Sequence, residues 1–164
     1  MKNINWREIV EIVGVVSIVG SLLLLATEVR QSNKIASAEM EMSLAEGFMQ
    51  IHMQRAGNLD VAKLWSKITE PDGQLITATD NSQMRGIAWT YVNLFWMAQT
   101  AHDNDLTSDA GLEGYVEVVR WILEFRPALQ DHFIFIYNTS PAMHGVPIFA
   151  PFEDLVRERR SNNQ

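Results

Sequence analysis

The stretch IVGVVSIVGSLLLLATEVRQSNKIA, residues 12–36, runs from a wholly apolar segment into charged and polar residues, and no glycine or proline interrupts residues 21–46. Three structures could begin this way: a cleaved targeting signal, a membrane span that continues into a longer helix, or the buried helix of a soluble protein. Between Glu11 and Glu28 sixteen residues carry no charge. A spanning helix needs ~20 predominantly apolar residues, with ~17 a practical minimum, so Ile9, Val10 and Val29 must extend this one and place the two carboxylates near the interfaces. Ala36-Ser37-Ala38 has the small-x-small form of a signal cleavage site. It lies about ten residues past the apolar run, however, beyond Glu28, Arg30 and Lys34, and the leading segment carries Glu8 and Glu11 besides Lys2 and Arg7. A buried helix of a soluble protein would usually show a polar face, which this segment lacks. The reading is therefore an uncleaved anchor. Lys2 and Arg7 on one side balance Arg30 and Lys34 on the other, so the positive-inside rule leaves the orientation open.

The rest of the composition bounds what the anchor carries. A chain of 164 residues suits one domain with a proper core. A formal net charge of -7 argues against non-specific attraction to nucleic acid. Arg157, Arg159 and Arg160, interrupted by Glu158, are the one candidate basic patch, and a frayed, solvated end accounts for them. The absence of cysteine excludes disulfides, thiolate metal sites and a cysteine nucleophile.

Read in sevens, one register crosses the end of the apolar segment. Gly14, Ser17, Ser21, Leu24, Glu28, Gln31, Ile35, Ala38, Met42, Ala45, Met49 and His52 fall on a single seam. Within the apolar segment the seam is mostly small, with Ile12, Val15, Val16, Val19, Leu22 and Leu23 pointing elsewhere, as in membrane helices whose backbones approach closely. A straight helix drifts by ~20° per heptad, so a seam held this far implies a left-handed supercoil against partner helices. Copies of the same chain are the expected partners. The competing reading is an anchor followed by an unrelated amphipathic helix. A second apolar strip, Leu44, Phe48 and Ile51, points to packing on the chain's own domain. The helix is expected to reach about Ala56 and close at Gly57.

The opening resembles a family of small, uncharacterised bacterial proteins in which an N-terminal tryptophan and a Glu-x-x-Gly precede an apolar helix ending in Arg-Gln-x-Asn. The matching residues are Trp6, Glu11, Gly14, Arg30, Gln31 and Asn33, followed by Ala36, with Ser32 where an asparagine often stands. The resemblance covers roughly the first forty residues well. It implies a bacterial inner-membrane anchor and no particular activity, substrate or cofactor.

Beyond Gly57, Asn58 can cap a short helix through about Ile68, and TEPDGQ reads as a turn. Met84, Ile87, Ala88, Tyr91, Val92, Phe95 and Ala98 predict a helix from about Asp80 to His102. HDNDLTSD interrupts it, and Thr107 or Ser108 can cap the next helix, built on Leu112, Tyr115, Val118, Val119, Ile122 and Leu123. Pro127 suits the first turn of a further helix, ALQDHFIFIYN; FIFIY alone would pass for a strand, but no second strand is evident to pair with it. NTSPAMHGVPIFAP is expected as an irregular loop, with Pro151 starting a last helix, FEDLVRER. The fold class is all-α: a transmembrane helix over residues 1–30, a helical stalk over 31–57 continuing it, and a soluble helical bundle over 58–164.

Catalytic signatures are missing. His52, His102, His132 and His144 are scattered, with no i, i+4 pair and no His-Glu-x-x-His. His52, on the seam, could form a ring that binds metal or senses pH, but a residue that sets register is the plainer account. Met40, Met42, Met49 and Met53 share one helix and could bind a soft metal; flexible core filling explains them better. Trp89, Trp96 and Trp121 with Tyr91, Phe95 and Tyr115 suggest an aromatic-rich core or the wall of an apolar pocket. Glu39 with Glu41, and Asp103 with Asp105, are spaced i, i+2 and do not share a helix face. No phosphate-binding loop, nucleophile elbow or nucleotide fingerprint is present, so no cofactor, metal or catalytic residue is assigned and an enzyme is unsupported.

The expected partners are membrane lipid and further copies of the chain, with nucleic acid not expected and any small-molecule ligand open. Three functions fit: an anchored, self-assembling interaction scaffold; an oligomeric ion channel with Ser17, Ser21 and Glu28 facing a pore; or a soluble domain that binds an apolar ligand. Helical bundles host all three.

Overall fold

The computed structural model describes residues 6–71 and 74–162. It is all-α, with six helices and two short 3-10 turns in the described residues. Helix α1 covers Trp6–Gly57, α2 Leu59–Thr69, α3 Ala78–Asp103, α4 Asp109–Phe125, α5 Pro127–Thr139 and α6 Ala150–Ser161. The chain divides into two compact units after Glu39.

In the first unit the residues of α1 turn their side chains outward almost without exception. Ile12, Val16, Leu22, Leu23 and Leu24 are each about 60% exposed. Residues 9–29, at ~1.5 Å per residue, cover about 30 Å, the thickness of a bilayer's hydrocarbon core. This helix is long and apolar enough to cross a membrane.

In the second unit the residues expected to end a stalk belong to the domain. From Met40 onward α1 is one of its helices, placing Leu44 and Ile51 in the core with Phe48 packed against it. Gly47 marks the close approach to α3, since a methyl there would overlap the end of Leu94.

Local chemistry fixes the helix ends. Asn58 Oδ1 accepts from the Asp60 and Val61 amides at 2.9 and 3.4 Å, starting α2. Thr77 and Asp80 form a reciprocal capping box that starts α3 two residues before the expected Asp80. Lys67 donates to Asp80 at 2.7 Å, and this hydrogen bond, with those from Thr77, holds the Asp80 pKa down at about 2. At the end of α3 the Leu106 amide reaches the Ala101 carbonyl at 2.8 Å and the Asp105 amide reaches His102 at 3.0 Å. That pattern is a Schellman closure, and it puts Asp105 at φ 57°. Ser108 caps α4 through the Gly111 amide, and Pro127 opens α5, so FIFIY is helical. The turn chemistry expected of TEPDGQ lies partly outside the described residues.

Helix α3 is the centre of the bundle, packing on α4, α5 and the Pro147–Phe149 turn. Its Ala88, Val92, Phe95 and Ala98 have no exposed surface. Buried Gln99 is satisfied: it donates to Asp103 at 2.9 Å and accepts the Ile148 amide at 3.3 Å.

Two segments depart from the sequence expectation. The segment expected as an irregular loop contains 3-10 turns at Pro141–Met143 and Pro147–Phe149, and it delivers Met143, Ile148 and Phe149 to the core. Its prolines and Gly145, at φ 76°, shape the turns, while Met143, Ile148 and Phe149 are as buried as any residue in the helices. The arginines of α6 are helical rather than frayed: Arg157 pairs with Glu153 and Asp154, and Arg159 reaches Asp131 and Gln130.

Candidate functional site

The proposed seam can be followed residue by residue within each unit. In the first, Gly14, Ser17, Ser21, Leu24, Glu28, Gln31, Ile35 and Ala38 are all exposed. Nothing lies within 4 Å of a side chain added at Gly14. The Ser17 hydroxyl donates to the Val13 carbonyl and that of Ser21 to the Ser17 carbonyl, both at 2.8 Å. Each serine therefore meets its hydrogen-bonding need inside the helix and stays compact, which suits an apolar surrounding.

In the second unit the helix separates two faces. Leu44, Phe48 and Ile51 pack inward, whereas Met42, Ala45, Met49 and His52 face out. At about 100° per residue, one strip cannot serve the core and the seam together. The expectation that the methionines of α1 fill the core holds only for Met40, which packs against it. Met42, Met49 and Met53 are 64%, 57% and 64% exposed, because they lie off the Leu44–Ile51 strip.

The histidines remain apart in role. His102 Nε2 lies 2.8 Å from Asp109 and its Nδ1 3.7 Å from Asp103. The hydrogen bond to Asp109 is the main reason that its pKa is raised. His132 is buried, and burial lowers its pKa. His144 Nε2 sits 3.1 Å from the Tyr137 carbonyl, with the two ring centroids 4.6 Å apart and the planes tilted by 41°. Among the described residues no three of His, Asp and Glu converge as a metal site.

The aromatic residues singled out in the sequence do not gather around one cavity. Tyr91 and Phe95 are core, Trp96 packs edge-on against Phe149 at 4.9 Å, and Trp89 and Trp121 are 40% and 49% exposed. A cleft of about 190 Å³ exists instead between α1, α2 and α3, floored by Ile51, Val61, Trp65 and Leu94 and edged by Gln50, Gln54, Thr90 and Asn93. Trp65, only 1% exposed, is the tryptophan that matters most to packing, and it was not singled out in the sequence. Its position in LDVAKLWSKI, one residue after Leu64 and three before Ile68 on the inward face, was the available signal.

No family profile, curated protein sequence or solved structure matches the chain.

Proposed function

We propose that this is a single-pass bacterial inner-membrane protein that self-assembles through α1 and acts as an interaction scaffold, displaying its helical domain in several copies. The observation that carries the proposal is the separation of faces on α1. Leu44, Phe48 and Ile51 are committed to the domain core, while the small and apolar seam positions stay exposed on the same helix. The resemblance of residues 6–36 to bacterial membrane-anchored proteins supports the location. The bonded hydroxyls of Ser17 and Ser21 support packing over pore lining, because a satisfied hydroxyl needs no water-filled lumen.

The chain contains no cysteine, so single cysteines can be introduced without background. In membranes, oxidation of Ser17→Cys and Ser21→Cys should give covalent dimers, whereas Val16→Cys and Leu22→Cys should give few. Equal cross-linking at all four positions would reject the seam, since random collision has no preferred face.

A further inference from the structure

Among the described residues the domain contains one buried arginine without an anion. Arg126, between α4 and α5, is 4% exposed, and its Nε is buried with no hydrogen-bond partner. Among the described residues no carboxylate oxygen lies within 4.0 Å of its guanidinium nitrogens, whereas the exposed Arg120, Arg157 and Arg159 each have an acidic partner. This distribution is the reverse of what desolvation favours, because an unpaired charge costs most where water is absent.

What surrounds Arg126 is aromatic and cationic. Its guanidinium carbon lies 4.4 Å from the centroid of Trp65 and 5.2 Å from that of Trp121. Arg55, from α1, stands 5.9 Å from the same Trp65 ring. Burial is the main influence on the Arg126 charge; Tyr91 is close enough to favour it and Arg55 to disfavour it. Ring faces attract a guanidinium, but they do not take up its five directional donors. Trp121 is 49% exposed while it stacks on the cation, and Phe125, 51% exposed, lies 5.4 Å from Trp121, so the site borders an apolar surface.

We propose that Arg126 is the recognition point of a binding site for a small molecule bearing an oxyanion, a carboxylate or a phosphate. The oxyanion takes the guanidinium donors left free, Arg55 is the second cation, the buried Trp65 backs the guanidinium, and the half-exposed Trp121 borders the bound group. Bidentate pairing with a planar or tetrahedral oxyanion is what an arginine held rigidly between rings is suited to do. The site lies wholly within residues 40–164 and is independent of the self-assembly reading.

The test is calorimetric titration of the full-length protein in neutral detergent with benzoate, inorganic phosphate and benzyl alcohol. Wild type, Arg126→Lys and Arg55→Gln are compared after circular dichroism has established that each is folded. Binding of either anion is expected, weakened about tenfold or more by Arg126→Lys and severalfold by Arg55→Gln, with benzyl alcohol silent. Tighter binding of benzoate would support the site and identify the group as a carboxylate; tighter binding of phosphate would support it and identify a phosphate. No binding of either anion to folded wild type, equal binding of benzyl alcohol and benzoate, or unchanged affinity in the folded variants would overturn the proposal. Should Arg126→Lys not fold, wild type and Arg55→Gln, whose side chain is on the exterior, decide the question.

Discussion

Single residues at the α3–α4 junction tie stability to pH and to backbone conformation. His102 joins the end of α3 to Asp109 at the start of α4, and the raised pKa makes this a pH-dependent tie. A group whose folded pKa lies above its unfolded value stabilises fully below the unfolded value, ~6.5 for histidine, and loses that contribution as pH rises through the folded value. The melting temperature of wild type should therefore exceed that of His102→Gln in mildly acidic buffer, with the gap closing above neutrality. A gap that stays constant with pH would assign His102 a packing role instead. Asp105, at φ 57°, occupies a conformation that costs an ordinary residue ~1 kcal/mol or more. Asp105→Gly should raise stability in chemical denaturation by a few tenths to ~1 kcal/mol, the gain being reduced by the greater freedom of glycine in the unfolded chain. Neither contact was legible in the sequence. HDNDLTSD announces an interruption, but which residue turns left-handed, and which acid meets His102, depends on where α4 returns.

Among the elements, the helices were largely legible because their signals are local. Asn58, Ser108 and Pro127 start helices where residue chemistry places them, and the apolar spacing of α3 marks its buried face. FIFIY is helical because Pro127 supplies the start and Leu129, Phe133 and Ile136 fall on one helical face, a pattern of spacing that outweighs β-propensity. The segment after Asn138 was misread because prolines and Gly145 signal turns without saying that the turns lie against the core. On α1 the two strips predict opposite outcomes. Leu44→Ala should cost the domain about 2–5 kcal/mol in reversible denaturation, since Leu44 is 2% exposed. Met49→Ala should change that stability by less than ~0.5 kcal/mol, because 57% of the residue is exposed, and should instead weaken self-association. Equal destabilisation by the two would mean that Met49 packs within its own chain.

At the scale of the whole molecule, the candidate sites differ in how far sequence could reach them. The seam is a matter of register and could be written down from spacing alone. The arginine site could not be anticipated: Arg126 precedes a proline at a helix junction, Trp65 lies 61 positions earlier, and only the fold brings them to 4.4 Å. A domain held in several copies on a membrane would gain effective concentration for any multivalent partner without a new contact in each copy.

Whether α1 carries the assembly is decided by the mass of the full-length protein in mild detergent, read by native mass spectrometry after the detergent is stripped. Assembly through α1 gives a discrete oligomer for wild type and lower-order or heterogeneous species for Gly14→Leu, Ser17→Leu and Ser21→Leu, with the domain still folded. A monomeric wild type, or one unchanged oligomeric mass across all three substitutions, would contradict it.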